Sequence, residues 1–184
     1  PEFVEAFIAI SSLGAIAVPI NMALPLSEQC SILHNSGASL AFMEVDDCTT
    51  LLTHAPEKLR SLKNVVLVDR FLDQIEETED SSGDHFTVTE MVLSGPTVTL
   101  TPLDSLRDMS RHAPTPKFID PGPDDPAFIL YTAGSTGEPK GAVHCQSDIF
   151  YTNQTFCREV LRLTTQDRLF SSSRLPFAYG LGNS

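Results

Sequence analysis

Basic residues are scarce in this chain. Its 184 residues hold 12 Lys and Arg against 24 Asp and Glu, a formal net charge of −12. The deficit is uneven: residues 1–130 carry 7 Lys/Arg and 20 Asp/Glu, net −13, whereas residues 131–184 carry 5 and 4, net +1. Nucleic acids and anionic membranes require a basic face, so neither is an expected partner. Cysteine is sparse as well. Cys30, Cys48, Cys145 and Cys157 form no C-x-x-C pair and no zinc spacing, which fits a reducing, cytoplasmic setting. No apolar run reaches membrane-spanning length and no secretory pattern opens the chain. Internal repeats and low-complexity segments are absent. The acidic run Asp73–Asp84 lacks the spacing and paired turn glycine of a calcium loop and reads as a solvated surface loop, so no metal ligands are assigned. His34, His54, His85 and His112 are isolated, with surface or capping roles. His144 adjoins Cys145, but chain neighbours point in different directions and no third group is identifiable, so no covalent nucleophile is assigned.

What the chain does have is alternation. With 41% hydrophobic residues it can bury one sizeable core, and a single domain is the expectation. Phe3, Phe7 and Ile10, with Val4 and Ile8 beside them, make an apolar helical face suited to packing on a sheet, and Gly14 serves as the C-cap before a short strand Ala15–Ile20. Helical spacing over Leu26–Asn35 stops at Gly37, and a strand follows at Ser39–Val45. Asp46 and Asp47 can cap a short helix through Ala55, and Asn64–Asp69 is a compact β-branched run of the buried-strand kind. The stretch from about Thr49 to Ile119 carries no motif. Pro114, Pro116, Pro121, Pro123 and Pro126 mark an extended passage into a strand Ala127–Thr132. A helix is predicted from Ser147 or Asp148 to about Leu163, with Ile149, Phe156, Val160 and Leu163 in the core, then a strand Arg168–Ser172. The class is α/β, with layered sheets flanked by helices.

The most informative run is Tyr131-Thr-Ala-Gly-Ser-Thr-Gly-Glu-Pro-Lys140-Gly141. Gly134, Gly137 and Gly141 allow positive φ and close approach of backbone N–H groups to a ligand. Ser135 and Thr136 add hydroxyl donors, and Lys140 adds a point charge that can follow a departing phosphate. The P-loop pattern fails at two positions: Pro139 replaces the glycine before the lysine, and Gly141 replaces the magnesium-holding hydroxyl. The alternative is an ordinary glycine-rich loop after a strand. The run resembles the phosphate-binding signature Y-T-S-G-[ST]-T-G-x-P-K-G of the adenylate-forming superfamily of acyl- and aryl-CoA synthetases, luciferases and adenylation domains. Ala133 is the one departure, removing at most one hydroxyl contact.

Two further segments resemble the same family. Leu175-Pro-Phe-Ala-Tyr-Gly-Leu-Gly-Asn-Ser184 is similar to the acyl-pocket segment of benzoate-CoA ligases, commonly F-A-Y-G-L-G-N. Phe177 and Tyr179 offer flat apolar faces while Gly180 and Gly182 leave space for a planar ring; a turn with core aromatics is the alternative. Pro1–Asn21 is similar to the superfamily's early helix, glycine and strand, with Ser12-Leu13 where K-A is usual.

The resemblance implies the large N-terminal region of an ATP-dependent acid:CoA ligase. A carboxylate is converted to an acyl-adenylate with loss of pyrophosphate, then to a CoA thioester. It implies ATP, Mg2+ and coenzyme A, and a small-molecule carboxylic acid as partner. Thr132, Ala133, Gly134, Ser135, Thr136, Gly137, Lys140 and Gly141 are then the expected phosphate-binding residues, and Ala178, Tyr179 and Gly180 the expected acyl-pocket residues. The chain opens without methionine inside a helical pattern and stops just after the pocket segment, so the expectation is a piece truncated at both ends, lacking the C-terminal domain and inactive alone. Adenine, ribose, magnesium and C-terminal lysine residues are expected beyond Ser184, leaving no catalytic residue to assign. A loading domain that passes the acid to a carrier protein and a noncatalytic nucleotide-binding relative are the alternatives.

Overall fold

The computed structural model describes residues 2–68, 89–92 (backbone), 97–132, 138–170, 172–175 and 180–181. In chain order their elements are α1 (Glu2–Ser12), α2 (Leu26–Ser36), β1 (Leu40–Met43), α3 (Val45–His54), a 3-10 turn (Pro56–Leu59), β2 (Asn64–Leu67), β3 (Thr89–Val92), β4 (Thr97–Pro102), α4 (Leu103–Ser110), β5 (Pro126–Thr132), β6 (Lys140–Cys145), α5 (Gln146–Thr152) and a π-helical segment (Asn153–Val160). They divide into two compact units, Pro25–Pro116 and Pro1–Leu24 with Lys117–Ser184. The result is an α/β fold with mixed parallel and antiparallel pairing.

In the unit Pro25–Pro116 the sheet order is β1-β2-β4-β3. β1, β2 and β4 run parallel, and β3 closes the edge antiparallel to β4. β2 is central, so its apolar run needs no alternation: Val65, Val66 and Leu67 are all buried. Burial of each such side chain is worth roughly 1.5–3 kcal/mol. β4 has neighbours on both edges but one covered face, and it alternates, burying Val98 and Leu100 between more open threonines. Cys30, Ile32 and Leu33 of α2 and Cys48, Leu51 and Leu52 of α3 complete the core. α2 ends where Gly37 turns left-handed, φ +64°, as a glycine C-cap requires. The helix after β1 begins two residues earlier than a cap at Asp46 would set it. Glu44 is the N-cap, without a side-chain hydrogen bond, and Asp46 and Asp47 lie in the first turn, where the helix dipole favours them.

In the second unit, β5 and β6 form an antiparallel hairpin. α1 ends in a left-handed Gly14, φ +67°, with the Ala15 N–H donating to the Ile10 carbonyl. Ala15–Ile20 is not a strand: it makes one parallel bridge, in which Ala17 N–H donates to Ala127 O and Ile129 N–H donates to Ala17 O. Ala17, Ala127 and Phe128 are the buried centre, packed by Phe7, Ile10, Leu130 and Leu181. Phe3 stacks on Phe7, while Val4 and Ile8 are exposed. Arg168–Phe170 carry no strand hydrogen bonds, and Ile149, Phe156 and Val160 are exposed where the apolar pattern predicts core. Their periodicity is that of a helix seeking a surface, and among the described residues no element supplies one. Instead of remaining α-helical, the chain after Thr152 widens to π-helical pairing.

Candidate functional site

The glycine-rich run begins on β5 and finishes on β6. β5 ends at Thr132 and β6 begins at Lys140, and these two residues are the last pair of the ladder. Ala133, Gly134, Ser135, Thr136 and Gly137 lie outside the described residues, as do Ala178 and Tyr179. Register decides which side chains share a face, because directly opposed residues and those two apart project to the same side. Thr132/Lys140, Leu130/Ala142 and Phe128/His144 therefore form one face, and Tyr131/Gly141 with Ile129/Val143 the other. Phe128 is buried, Leu130 packs against the same core, and the row ends in Thr132 and Lys140, both exposed. A hydroxyl and an ammonium thus stand opposite each other at the base of the loop, anchored through the row to a hydrophobic core.

Gly141 has a different role from the one its motif predicts. It lies in β6 and does not take positive φ; among the described glycines only Gly14 and Gly37 do. A Cβ on Gly141 would stand 2.8 Å from Ile129 Cγ2 and 3.0 Å from Tyr131 Cζ. The missing side chain makes room for the Tyr131 ring from the opposing strand. Burial there raises the Tyr131 phenol above its ordinary pKa. Gly180, by contrast, is buried, and a Cβ on it would run into the backbone carbonyl of Arg174. Its neighbour Leu181 packs against the same Phe128 core as the hairpin.

At the far end of β6, chain neighbours His144 and Cys145 gain a third group that their sequence does not identify, Asp148. The His144 ring stacks on Phe128, centroids 4.7 Å apart and planes 12° from parallel. His144 Nδ1 lies 3.0 Å from Asp148 Oδ2, and the same oxygen accepts the Cys145 N–H at 3.2 Å. Asp148 sits at the third position of α5 and forms a reciprocal cap with Cys145. Its side-chain partners are the His144 ring and the Cys145 amide, so among the described residues it is not arranged as a base for the Cys145 thiol. The i, i+4 spacing of His144 and Asp148 was the available signal, legible only once β6 is known to run straight into a helix. Among the described residues no group of three His, Cys, Asp or Glu could hold a metal ion. No helix among them is long and apolar enough to cross a membrane.

The profile of the AMP-binding enzyme family matches residues 1–183. The chain belongs to that family. Within it, the benzoate–CoA ligase of Thauera aromatica is 51% identical over 61 residues, which are 33% of this chain and 12% of that protein. The p-hydroxybenzoic acid–AMP ligase of Mycobacterium marinum is 51% identical over 63 residues, 34% of this chain and 9% of that protein. The crystal structure of the anthranilate CoA ligase AuaEII in complex with anthranoyl-AMP matches with a TM-score of 0.72 and 27% identity, over 99% of this chain and 30% of that one. This AMP-binding chain is therefore related to aryl-acid ligases, and it spans under a third of the length of that solved relative.

Proposed function

We propose that this chain supplies the pyrophosphate side and part of the acyl pocket of an ATP-dependent aryl-acid ligase. A carboxylate oxygen of the acid attacks the α-phosphorus of ATP; the bond from that phosphorus to the bridging oxygen breaks, and pyrophosphate leaves an acyl-adenylate. A CoA thiolate then attacks the acyl carbon and AMP departs. The observation that carries the reading is the pairing of Thr132 with Lys140 at the mouth of the glycine-rich loop, within a chain matched by the family from residue 1 to 183. The donor set fits a polyphosphate: the Thr132 hydroxyl and the Lys140 ammonium, both exposed, flank a loop whose Ser135 and Thr136 add hydroxyls. Residues Thr132 through Gly137, Lys140 and Gly141 hold the β- and γ-phosphates, and the Lys140 charge offsets the charge that builds on the leaving pyrophosphate. ATP enters as its magnesium complex. Ala178, Tyr179 and Gly180 shape the pocket for a planar acid, the class named for the aryl-acid relatives. Four unpaired cysteines accord with action in a reducing cytoplasm.

A second reading concerns the acceptor. The similarity to a p-hydroxybenzoic acid–AMP ligase favours an enzyme whose product is the adenylate itself, handed to a carrier thiol in place of CoA. Both readings are tested by pyrophosphate release from the complete protein with ATP and magnesium, comparing benzoate, octanoate and no acid. Benzoate-dependent release supports aryl adenylation, and thioester formation on adding CoA selects the first acceptor. Release with octanoate alone keeps the family chemistry and removes the aromatic pocket. No release with any acid favours a noncatalytic relative. Lys140→Ala is expected to lower the adenylation rate about 10²-fold, and an unchanged rate would remove Lys140 from this role.

A further inference from the structure

We infer that His144 is a positioning residue for the phosphate-loop hairpin, clamped between Phe128 and Asp148 so that β6 carries Lys140 into place opposite Thr132. The inference rests on the proposed role of Lys140. The hairpin has a weakness: a two-stranded ribbon is marginal on its own, and β6 is poorly buried. Lys140, Gly141, Ala142 and Val143 are all exposed, so burial of apolar area does little to hold them. The strand becomes half-buried only at His144 and Cys145. At that end three contacts converge. His144 stacks on Phe128, the residue opposite it on β5 and part of the unit's buried centre. Its Nδ1 meets Asp148 Oδ2 at 3.0 Å, and the Cys145 N–H reaches the same oxygen. A carboxylate oxygen accepts, so Nδ1 is the donor in this contact.

The carboxylate is itself fixed. It belongs to α5, whose leading N–H groups are already taken: Gln146 N–H donates to Asp125 O and Ser147 N–H to Pro123 O. Asp125 closes its own turn by accepting the Gly122 N–H at 2.8 Å, and that turn leads directly into β5. The contacts therefore close a circuit from β5 through the His144 ring and Asp148 into α5, then through the 122–125 turn back to β5. His144 lies four residues from Lys140, about 13 Å along an extended strand, so it acts through the hairpin and touches no phosphate. Without the clamp, β6 keeps its ladder but loses what prevents it from twisting and fraying from the helix end, and the loop mouth widens.

Two readouts on the complete protein test this, one of them independent of turnover. In His144→Ala the apparent KM for MgATP is expected to rise about tenfold while the KM for the acid stays within about twofold. Amide exchange in 128–132 and 140–145 is expected to accelerate at least about tenfold, with β2 and β4 of the other unit unchanged. Asp148→Ala should move the same readouts in the same direction, and the double variant should fall short of the sum of the two singles, since both singles remove the shared His144–Asp148 contact. His144→Phe, which keeps an aromatic on Phe128 and loses the Asp148 bond, should fall between the wild type and His144→Ala, and it serves if the alanine variant fails to fold. Unchanged hairpin exchange overturns the inference. So does equal acceleration throughout the unit with both KM values moved together, the mark of general destabilisation. If the wild type releases no pyrophosphate with any acid, the ligase reading fails while the exchange pattern still decides whether His144 holds the hairpin.

Discussion

Cys48 is 1% exposed on the inner face of α3, and burial pushes its thiol up to about 11 from an ordinary 9.0. The folded state therefore favours the neutral thiol. Above pH 9 the unfolded chain ionises Cys48 and the folded chain does not, so the contribution is complete below pH 9 and is lost as pH rises toward about 11. Urea unfolding at pH 8 and pH 11 is expected to show a loss on the order of 2 kcal/mol from this group, and Cys48→Ala should remove that part of the alkaline slope. At the opposite extreme is Arg162, the described non-glycine residue with positive φ, +55°, just after the π-helical segment. An L side chain is strained there, so Arg162→Gly is predicted to be neutral to stabilising, by up to about 1 kcal/mol in thermal unfolding. Residues of this kind differ in legibility. Gly14 and Gly37 could be read from the chain because each follows a helical pattern and a helix end calls locally for φ above zero. Arg162 carried no such mark, since the left-handed turn there follows from the π-helical pairing before it.

The hairpin is the element on which the proposed chemistry depends, and its packing makes a separate prediction. Gly141→Ala places a methyl group against Ile129 and Tyr131 on the face away from Lys140. Displacing that ring is expected to cost about 1–3 kcal/mol and to weaken MgATP binding with the Lys140 ammonium intact; thermal unfolding and nucleotide titration of the variant check it. Restoring space with Tyr131→Ala in the same chain should recover part of the stability, because the clash is pairwise. β5 was legible as an apolar run following a proline-rich passage. β6 was not: Lys140-Gly-Ala-Val-His-Cys145 begins in the middle of a loop motif, includes a glycine and is mostly exposed, so neither alternation nor a buried run announces it. It is a strand because β5 is there to pair with. The helix after it began where expected, within a residue or two, since the first polar residues past a strand cap locally.

At the scale of the whole molecule, the chain exposes much apolar surface. Ile149, Phe150, Tyr151, Val160, Leu169 and Phe170 are all exposed, Phe170 to 93%. Large exposed apolar areas promote association. The isolated 184-residue chain is therefore expected to self-associate with rising concentration despite its charge of −12, and light scattering with Phe170→Ser and Val160→Lys variants, which should scatter less, checks this. Sequence alone was sufficient for whatever depends on a few neighbouring residues: the glycine caps, the proline passage, the buried run of β2, the α/β alternation and the loop motif that points to the AMP-binding family. Those features act through φ/ψ limits, short-range spacing and local chemistry, which the chain carries with it. Tertiary structure alone decided that Lys140 faces Thr132 across a two-stranded ladder, that Gly141 serves the Tyr131 ring, that Asp148 holds His144 against Phe128, and that the apolar pattern after Ile149 is left uncovered. The first three depend on which residues the strand register and the strand-to-helix junction bring together, and for the last, hydrophobic periodicity records that a surface wants covering without recording what covers it.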